Sequence, residues 1–311
     1  MCPAADYTGL MLTNYHTHCE FCDGKATAAV MAQTARDQGF SILGFSSHAP
    51  LPFDTKWNLR LARLPEYVDA IRALGREHSL MGEHAPAMQV LVGLEIDYID
   101  GLCGPSDGRF ADAGLDYTIG STHYVTPGEI SGPASLEPGP TGNPAFGFTV
   151  DESEARFSRD LAHFYDDNIY RLVDDYFAAV AASVRAGGFD ILGHMDLIRK
   201  NNRGESRFSE RSERYRAAAM MVVDALAGTD IIVEINTGGM ARGKTDSPYP
   251  SLWVLKELRA HSIAICVNAD AHAPEHLMAH RDAGLSIAAK AGYDRLTAIG
   301  PNGRFTMPLD R

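Results

Sequence analysis

Short apolar runs alternate with segments of helical period along the whole chain. Leu10-Met11-Leu12 reads as a strand, and Ala26 to Gln38 as a helix that stops at Gly39. Phe40 to Ser46 is again a short apolar run. A helix opens at Leu64-Pro65-Glu66, with Pro at a tolerated first-turn position and Val68, Ile71 and Leu74 on its buried face. Gln89 to Ile96 and Leu115 to Ser121 predict the third and fourth strands. Leu161, Phe164, Leu172 and Val180 predict a long helix from about Asp151 to Arg185, with room for a break. Gly188 to Gly193 is the fifth strand, Ser209 to Ala227 a helix, Ile231 to Ile235 the sixth strand, Ser251 to His261 a helix and Ile263 to Asn268 the seventh strand. One or two helices and a polar tail are expected after that. Strand and helix alternating in this way argue for parallel strands joined by crossover helices.

The polar positions are as ordered as the apolar ones. Each strand runs into a chemically loaded end: His16 and His18, His48, Glu95, His123, His194, Glu234 with Asn236, and Asp270 with His272. In extended chain residues i and i+2 point the same way, so His16 and His18 converge on one point. A carboxylate follows at Asp23, where the chain turns at Gly24. Glu95 lies inside an apolar run, a costly place for a carboxylate unless it is paired or bound to metal. Parallel barrels gather their functional groups at the C-terminal ends of the strands. Of the other histidines, His78, His84, His163, His276 and His280 read as surface positions. Neither a GxGxxG opening the first helix nor a GxxxxGK[ST] occurs, so nucleotide binding on an open sheet has little support.

Six histidines (16, 18, 48, 123, 194, 272) and three carboxylates (Asp23, Glu95, Asp270) make nine candidate metal ligands. One zinc takes three or four protein ligands. Nine therefore suit two or three ions, with Glu95 as the natural bridge, and mixed imidazole and carboxylate ligation suits Zn, Mn or Fe better than Ca or Mg. Such a cluster polarises an ester, supplies the nucleophile and stabilises the leaving oxygen in one in-line displacement. Arg199, Arg242 and Lys244 follow strands five and six on the same face and are candidates to clamp a phosphate, the two arginines through a bidentate fork.

Composition narrows the partners. The chain has 311 residues, 45% of them hydrophobic, an ordinary length for one α/β barrel. Its net charge of −12 argues against nucleic acid, and no apolar run approaches the roughly 20 residues that span a bilayer. Met1 to Asp6 lacks the basic and apolar regions of a signal peptide, so the expected location is cytoplasmic. Five cysteines do not suggest a disulfide scaffold. Cys19 and Cys22 form a CxxC without a second close pair, and they read as small buried thiols beside the site. Val125 to Val150, rich in Gly, Pro, Ser and Thr, reads as a long loop over one end of the fold, a candidate lid.

These motifs resemble the polymerase-and-histidinol-phosphatase (PHP) superfamily, and within it the histidinol-phosphatase group, over nearly the whole chain. The resemblance is carried by His16-Thr17-His18 with Asp23-Gly24, by Ser47-His48-Ala49-Pro50-Leu51-Pro52 and by Gly93-Leu94-Glu95-Ile96-Asp97-Tyr98. It continues through Ile119 to Tyr124, Gly193 to Lys200, Glu234 to Arg242 and Asn268-Ala269-Asp270-Ala271-His272. It implies an α/β fold, a distorted seven-stranded (β/α)7 TIM-like barrel, as a single domain over residues 1–311. It implies a trinuclear metal centre: His16, His18, Glu95 and Asp270 on one ion, Glu95, His123 and His194 on a second, Asp23, His48 and His272 on a third. The implied activity is that of a phosphoric monoester hydrolase. Attack of a metal-bound hydroxide, with no phosphoenzyme, would convert L-histidinol phosphate to L-histidinol and phosphate in histidine biosynthesis. Glu95, His123, Asp270, Arg199 and Arg242 would be the catalytic set, with Arg199, Arg242 and Lys244 binding the ester. The alternative is a PHP phosphoesterase acting on another small phosphate ester. Cys19 and Cys22 depart from the Thr and Ser of many relatives, and Phe53 to Arg63 and Val125 to Val150 match the group less well. Both stretches could border the leaving-group pocket. Asp97 and Asp54 are acidic candidates for its amine.

Overall fold

The computed structural model describes residues 11–53, 55–80, 87–127 and 147–309. In chain order the elements are β1 (Leu12–Asn14), α1 (Ala28–Asp37), β2 (Phe40–His48), α2 (Leu64–His78), β3 (Gln89–Asp97) and β4 (Tyr117–Ser121). The short strands β5 (Tyr124–Val125) and β6 (Phe148–Thr149) come next, then α3 (Glu154–Tyr165), α4 (Ile169–Ala186), β7 (Ile191–Leu192), α5 (Glu213–Leu226) and β8 (Ile232–Asn236). The chain ends with α6 (Gly238–Ala241), α7 (Leu252–Ala260), β9 (Ile265–Asn268), α8 (Arg281–Lys290), β10 (Arg295–Gly300) and β11 (Gly303–Pro308).

Seven of these strands form one sheet in the order β1-β2-β3-β4-β7-β8-β9, every pair parallel. The sheet curls until its two edges meet. His18 N donates to Ala271 O (2.9 Å) and Ala271 N to His16 O (3.0 Å), just past the ends of β1 and β9. On the other side Ser46 N donates to Thr17 O (2.9 Å). The segment carrying both histidines is therefore the seam of a nearly closed barrel; its parallel strands follow the alternating pattern, and the barrel is the fold that the resemblance implies.

Two layers of apolar side chains hold the barrel. The larger packs β4 and β7–β9 against the helices from α3 onward, and the smaller packs β2 and β3 against α1 and α2. Tyr117 crosses the interior: its hydroxyl donates to Phe45 O (3.0 Å) and also lies on Tyr15 O. Its ring occupies the place a side chain at position 93 would take, since a Cβ on Gly93 would sit 2.5 Å from Tyr117 Cζ. Helix starts follow their caps. Thr27, Ser153 and Ser212 each accept from the backbone three residues on, at 3.3, 3.4 and 3.2 Å.

The break allowed for in the long helix is present, and two other expectations need correction. The long helix is two: Asp166 and Asp167 take left-handed backbone (φ 50° and 59°), and Asn168 accepts from Arg171 N (3.3 Å) to start α4 afresh. The polar tail is the antiparallel ribbon β10–β11, with Leu296, Ala298 and Met307 buried. It is tied to the barrel by Tyr15, whose hydroxyl donates to Ile299 O (2.9 Å) and accepts from Ile299 N (2.8 Å). His78, read as a surface residue, is buried at the end of α2. The candidate lid is described only at its two ends, which pair as β5 and β6; residues 128–146, like Asp54 and His84, lie outside the described residues. No helix among the described residues is long and apolar enough to cross a membrane.

Candidate metal centre

The parallel register sets the strand ends side by side, and the side chains there converge. His16, His18, Asp23, His48, Glu95, His123, His194, Asp270 and His272 all fall into four overlapping groups, whose ligand atoms lie within 4.8 Å of one another. The structure thus brings together every one of the nine residues proposed from the sequence. Glu95 is at the middle and fully buried. Its Oε1 faces His194 Nε2 (3.0 Å) and His123 Nε2 (3.6 Å). Its Oε2 faces His16 Nε2 (3.3 Å), His18 Nε2 (3.6 Å) and His48 Nδ1 (2.9 Å). One carboxylate therefore presents a separate oxygen to each of two imidazole sets, the arrangement a bridging ligand needs.

Asp270 Oδ1 lies 3.4 Å from His18 Nε2 and 3.8 Å from His16 Nε2, on the same side as Glu95 Oε2. Asp23 gathers a third set: His272 Nε2 at 3.4 Å, His48 Nε2 at 3.7 Å and His18 Nδ1 at 3.8 Å. Asp23 is placed by the turn that Gly24 closes, where Gly24 N donates to Cys19 O (3.1 Å). A Cβ on Gly24 would sit 2.4 Å from Cys19 Cα, so only glycine fits. The backbone is strained at two of the candidate ligands, with φ of 22° at His194 and 47° at Asp270.

The donor set itself tests whether metal ions fit. His16 Nε2, His18 Nε2, His48 Nδ1 and Glu95 Oε2 are buried and lack a hydrogen bond, although they point at one another. Buried polar groups left so cost free energy unless something satisfies them. Mixed imidazole and carboxylate donors aimed at common points fit divalent transition metals.

The electrostatics agree. Burial disfavours charge on His16, but Glu234, Glu95 and Asp270 outweigh it and hold its pKa well above the imidazole range. Burial likewise opposes charge on His123, and Asp97 and Glu95 raise it to about 10. His18 is driven down to about 3 by burial and by the neighbouring His272 and His48 rings, which lie 4.0 and 4.4 Å away between centroids. Glu95, against the cost of burial, is held well below the carboxylate range by His48, His16 and His123.

Two buried carboxylates hold candidate-ligand rings without being candidate ligands themselves. Glu234 Oε1 accepts from His16 Nδ1 (2.7 Å) and Asn268 Nδ2 (3.0 Å), while its Oε2 accepts from His194 N (3.0 Å) and Asn236 Nδ2 (2.8 Å). Asp97 Oδ1 accepts from both His123 Nδ1 (2.8 Å) and His123 N (3.1 Å). A ligating histidine held this way has its tautomer and ring plane set. Asp97 is thus committed to His123, a correction to its reading as an amine contact. The sequence signal was there in part: Glu95 with Asp97, and Glu234 with Asn236, share a strand face at i and i+2.

The basic residues separate. Arg242 Nη2 donates to Asp270 Oδ2 (2.7 Å), and its Nη1 to Asp270 O (2.9 Å) and His272 Nδ1 (3.2 Å). It borders the cluster. Arg199 is buried and turned to the scaffold, donating to Glu210 Oε1 (2.8 Å), Ser247 Oγ (2.8 Å) and Pro248 O (3.0 Å). Lys244 is exposed, and its backbone N donates to Gly239 O (2.8 Å). Neither Arg199 nor Lys244 has a described contact with a candidate ligand. The thiols sit beside the site, with Cys22 Sγ 3.4 Å from His18 Nδ1 and Cys19 Sγ 3.6 Å from Ser47 Oγ.

Residues 14–238 match the PHP domain model. The chain belongs to the PHP domain family. A Deinococcus radiodurans protein assigned as a histidinol-phosphatase is 29% identical over 273 residues, covering 85% of this chain and 87% of that one. The Bacillus subtilis histidinol-phosphatase is 23% identical, covering 83% and 92%. Two solved structures share the fold. A protein assigned as the histidinol phosphatase HisK of Listeria monocytogenes superposes with a TM-score of 0.72 at 18% identity, over 87% of this chain and 98% of that one. The histidinol phosphate phosphatase of Lactococcus lactis, complexed with zinc, L-histidinol and phosphate, does so with 0.60 at 19%, over 93% and 97%.

Proposed function

We propose that this chain is a metal-dependent phosphomonoesterase that hydrolyses L-histidinol phosphate to L-histidinol and phosphate, a step of histidine biosynthesis carried out in the cytoplasm. The observation that carries the reading is the gathering of nine donors around Glu95, with Arg242 anchored at their edge on Asp270. Relatives that share most of their length with this chain are named for that reaction. The Lactococcus lactis protein of the same fold was solved with zinc and both products.

Two or three divalent ions, Zn, Mn or Fe, would be held by His16, His18, Glu95 and Asp270, by Glu95, His123 and His194, and by Asp23, His48 and His272. When bound they supply a Lewis acid for the phosphoryl oxygens and acidify water. The chain's own contribution is position and charge. Glu95 offers one oxygen to each ligand set. Asp97 fixes the ring of His123, and Glu234 fixes that of His16. Arg242 presents a guanidinium at the cluster's rim, where it would take the non-bridging oxygens of the ester. A C–N hydrolase would have no use for that cation. Arg199 would have to leave Glu210 or Ser247 to reach an ester, so it acts here as a brace between the segments around positions 199, 210 and 247.

The reading is tested by phosphate release from L-histidinol phosphate and from a panel of other small phosphomonoesters, before and after chelation and with Zn, Mn or Fe restored. Strong preference for histidinol phosphate, lost on chelation and regained with metal, is the expected result. Weak, flat activity over the panel would leave a metallophosphoesterase and discard this substrate.

A further inference from the structure

A second chemistry adjoins the nine donors at the mouth of the barrel. The Trp57 ring stands 4.7 Å from His48 at 77° and 6.2 Å from His123 at 65°, and it stacks on Tyr124 at 6.2 Å and 22°. Phe53 meets Tyr124 edge-on at 5.7 Å. These rings form a small apolar cluster of their own with Ile99, Leu51 and Leu102, apart from both layers of the core. Tyr124 is buried, while Trp57, Phe53 and Leu51 stay part-exposed. An aromatic wall that touches two candidate ligands and still faces solvent has the make-up of a binding surface for a flat group.

Just past the strand that pairs with Tyr124 comes a carboxylate that belongs to none of the candidate metal groups. Asp151 lies in a turn tied down from both sides. Val150 N donates to His123 O (2.9 Å), and the Asn201 amide donates to Val150 O and Glu152 O (3.2 Å each). Lys200 Nζ donates to Asp151 O and lies 3.6 Å from Oδ2, an ion pair without a hydrogen bond. Thr149 pairs with Tyr124 across β5–β6, so Asp151 follows directly on backbone joined to the wall and to the candidate ligand His123. The anchoring of its backbone fixes where that carboxylate sits.

We propose that Asp151 and the Trp57–Tyr124 wall form the leaving-group subsite, in which Asp151 takes a protonated amine and the wall takes a flat ring. This rests on the phosphomonoesterase reading and adds the residues that select the alcohol. The Lys200 pair at 3.6 Å leaves the Asp151 oxygens without a hydrogen bond from it, so an ester that brings an ammonium gains a charge-assisted bond that an ester lacking the amine forgoes. The ring gains contact with an indole that is otherwise half wet.

The test pairs substrates with variants. In the wild type, kcat/KM for histidinol phosphate should exceed that for its deamino analogue, 3-(imidazol-4-yl)propyl phosphate, by about 30-fold or more. In Asp151→Asn the two should come within about threefold, with part of the preference regained in Asp151→Glu. Trp57→Leu should raise KM for histidinol phosphate about tenfold and change kcat less. Binding of the product gives a readout apart from turnover and apart from the folding of any Asp151 variant. L-histidinol should quench Trp57 emission at concentrations about tenfold lower than 3-(imidazol-4-yl)propan-1-ol does. An amine preference intact in Asp151→Asn, or equal affinity for the two alcohols, overturns the proposal. A wild type that releases no phosphate from histidinol phosphate instead overturns the reading on which it rests.

Discussion

Glu234 carries more of the site than its distance from any ester suggests. It accepts four hydrogen bonds, one from the ring of His16 and one from the backbone of His194, and it is fully buried. Removing it frees two ligands at once. Glu234→Ala is expected to weaken metal binding about 10- to 100-fold, measured by competition with a chromogenic chelator. Glu234→Gln should lose less, because it keeps one acceptor for His16 Nδ1. His123→Ala should abolish turnover by emptying one ligand position beside Glu95, and full activity in that variant would end the metal mechanism. Arg242→Ala should act mainly on KM for a phosphate ester, since Arg242 sits at the rim on Asp270 and is not itself among the nine donors. A fall in kcat with KM unchanged would move Arg242 from ester binding to transition-state contact.

Among the elements, the barrel's interior and α2 make separate demands. Tyr117 spans the space between strands only because position 93 has no side chain. Gly93→Ala is therefore expected to destabilise the fold by about 2 kcal/mol or more, read from urea unfolding. An unchanged midpoint would mean that Tyr117 has room to move. His78 closes α2 with its ring buried and Nδ1 unpaired, and burial lowers its pKa. The unfolded chain then binds more protons than the native one below the ordinary imidazole value of about 6.5. The stability His78 supplies is present above that value and is lost as pH falls through the lowered native value. Unfolding free energies at pH 7.5 and pH 5 should differ less in His78→Leu than in the wild type. The parallel strands were legible because apolar runs and helical periods alternate. The ribbon β10–β11 was not. Its inward residues Leu296 and Ala298 alternate over too few positions to stand out, and what they cover is the barrel floor at Tyr15.

Taken as a whole, the molecule is a barrel whose open end holds buried polar atoms that find no hydrogen bond within the described residues. Glu95 and Asp270 are kept ionised in burial, against its cost, while His18 is kept neutral by burial and by its neighbouring rings. Ions bound to the native state alone stabilise it by mass action. Chelation is expected to lower the melting temperature by about 5–10 °C, with recovery on adding Zn or Mn. A melting temperature indifferent to chelators would count against resident metal. The chain alone determined the order of the elements and the placing of His16, His18, His48, Glu95, His123, His194 and Asp270 at strand ends, because periods of 2 and 3.6 residues are local properties. The tertiary structure alone decided which oxygen of Glu95 faces which histidine, that Asp97 serves His123 and that Arg199 turns to Glu210. It also decided that Trp57 stands against His48 and stacks on Tyr124. The physical reason is separation along the chain: His16 and Glu234 bond across 218 residues, and only strand register and barrel closure set such a distance.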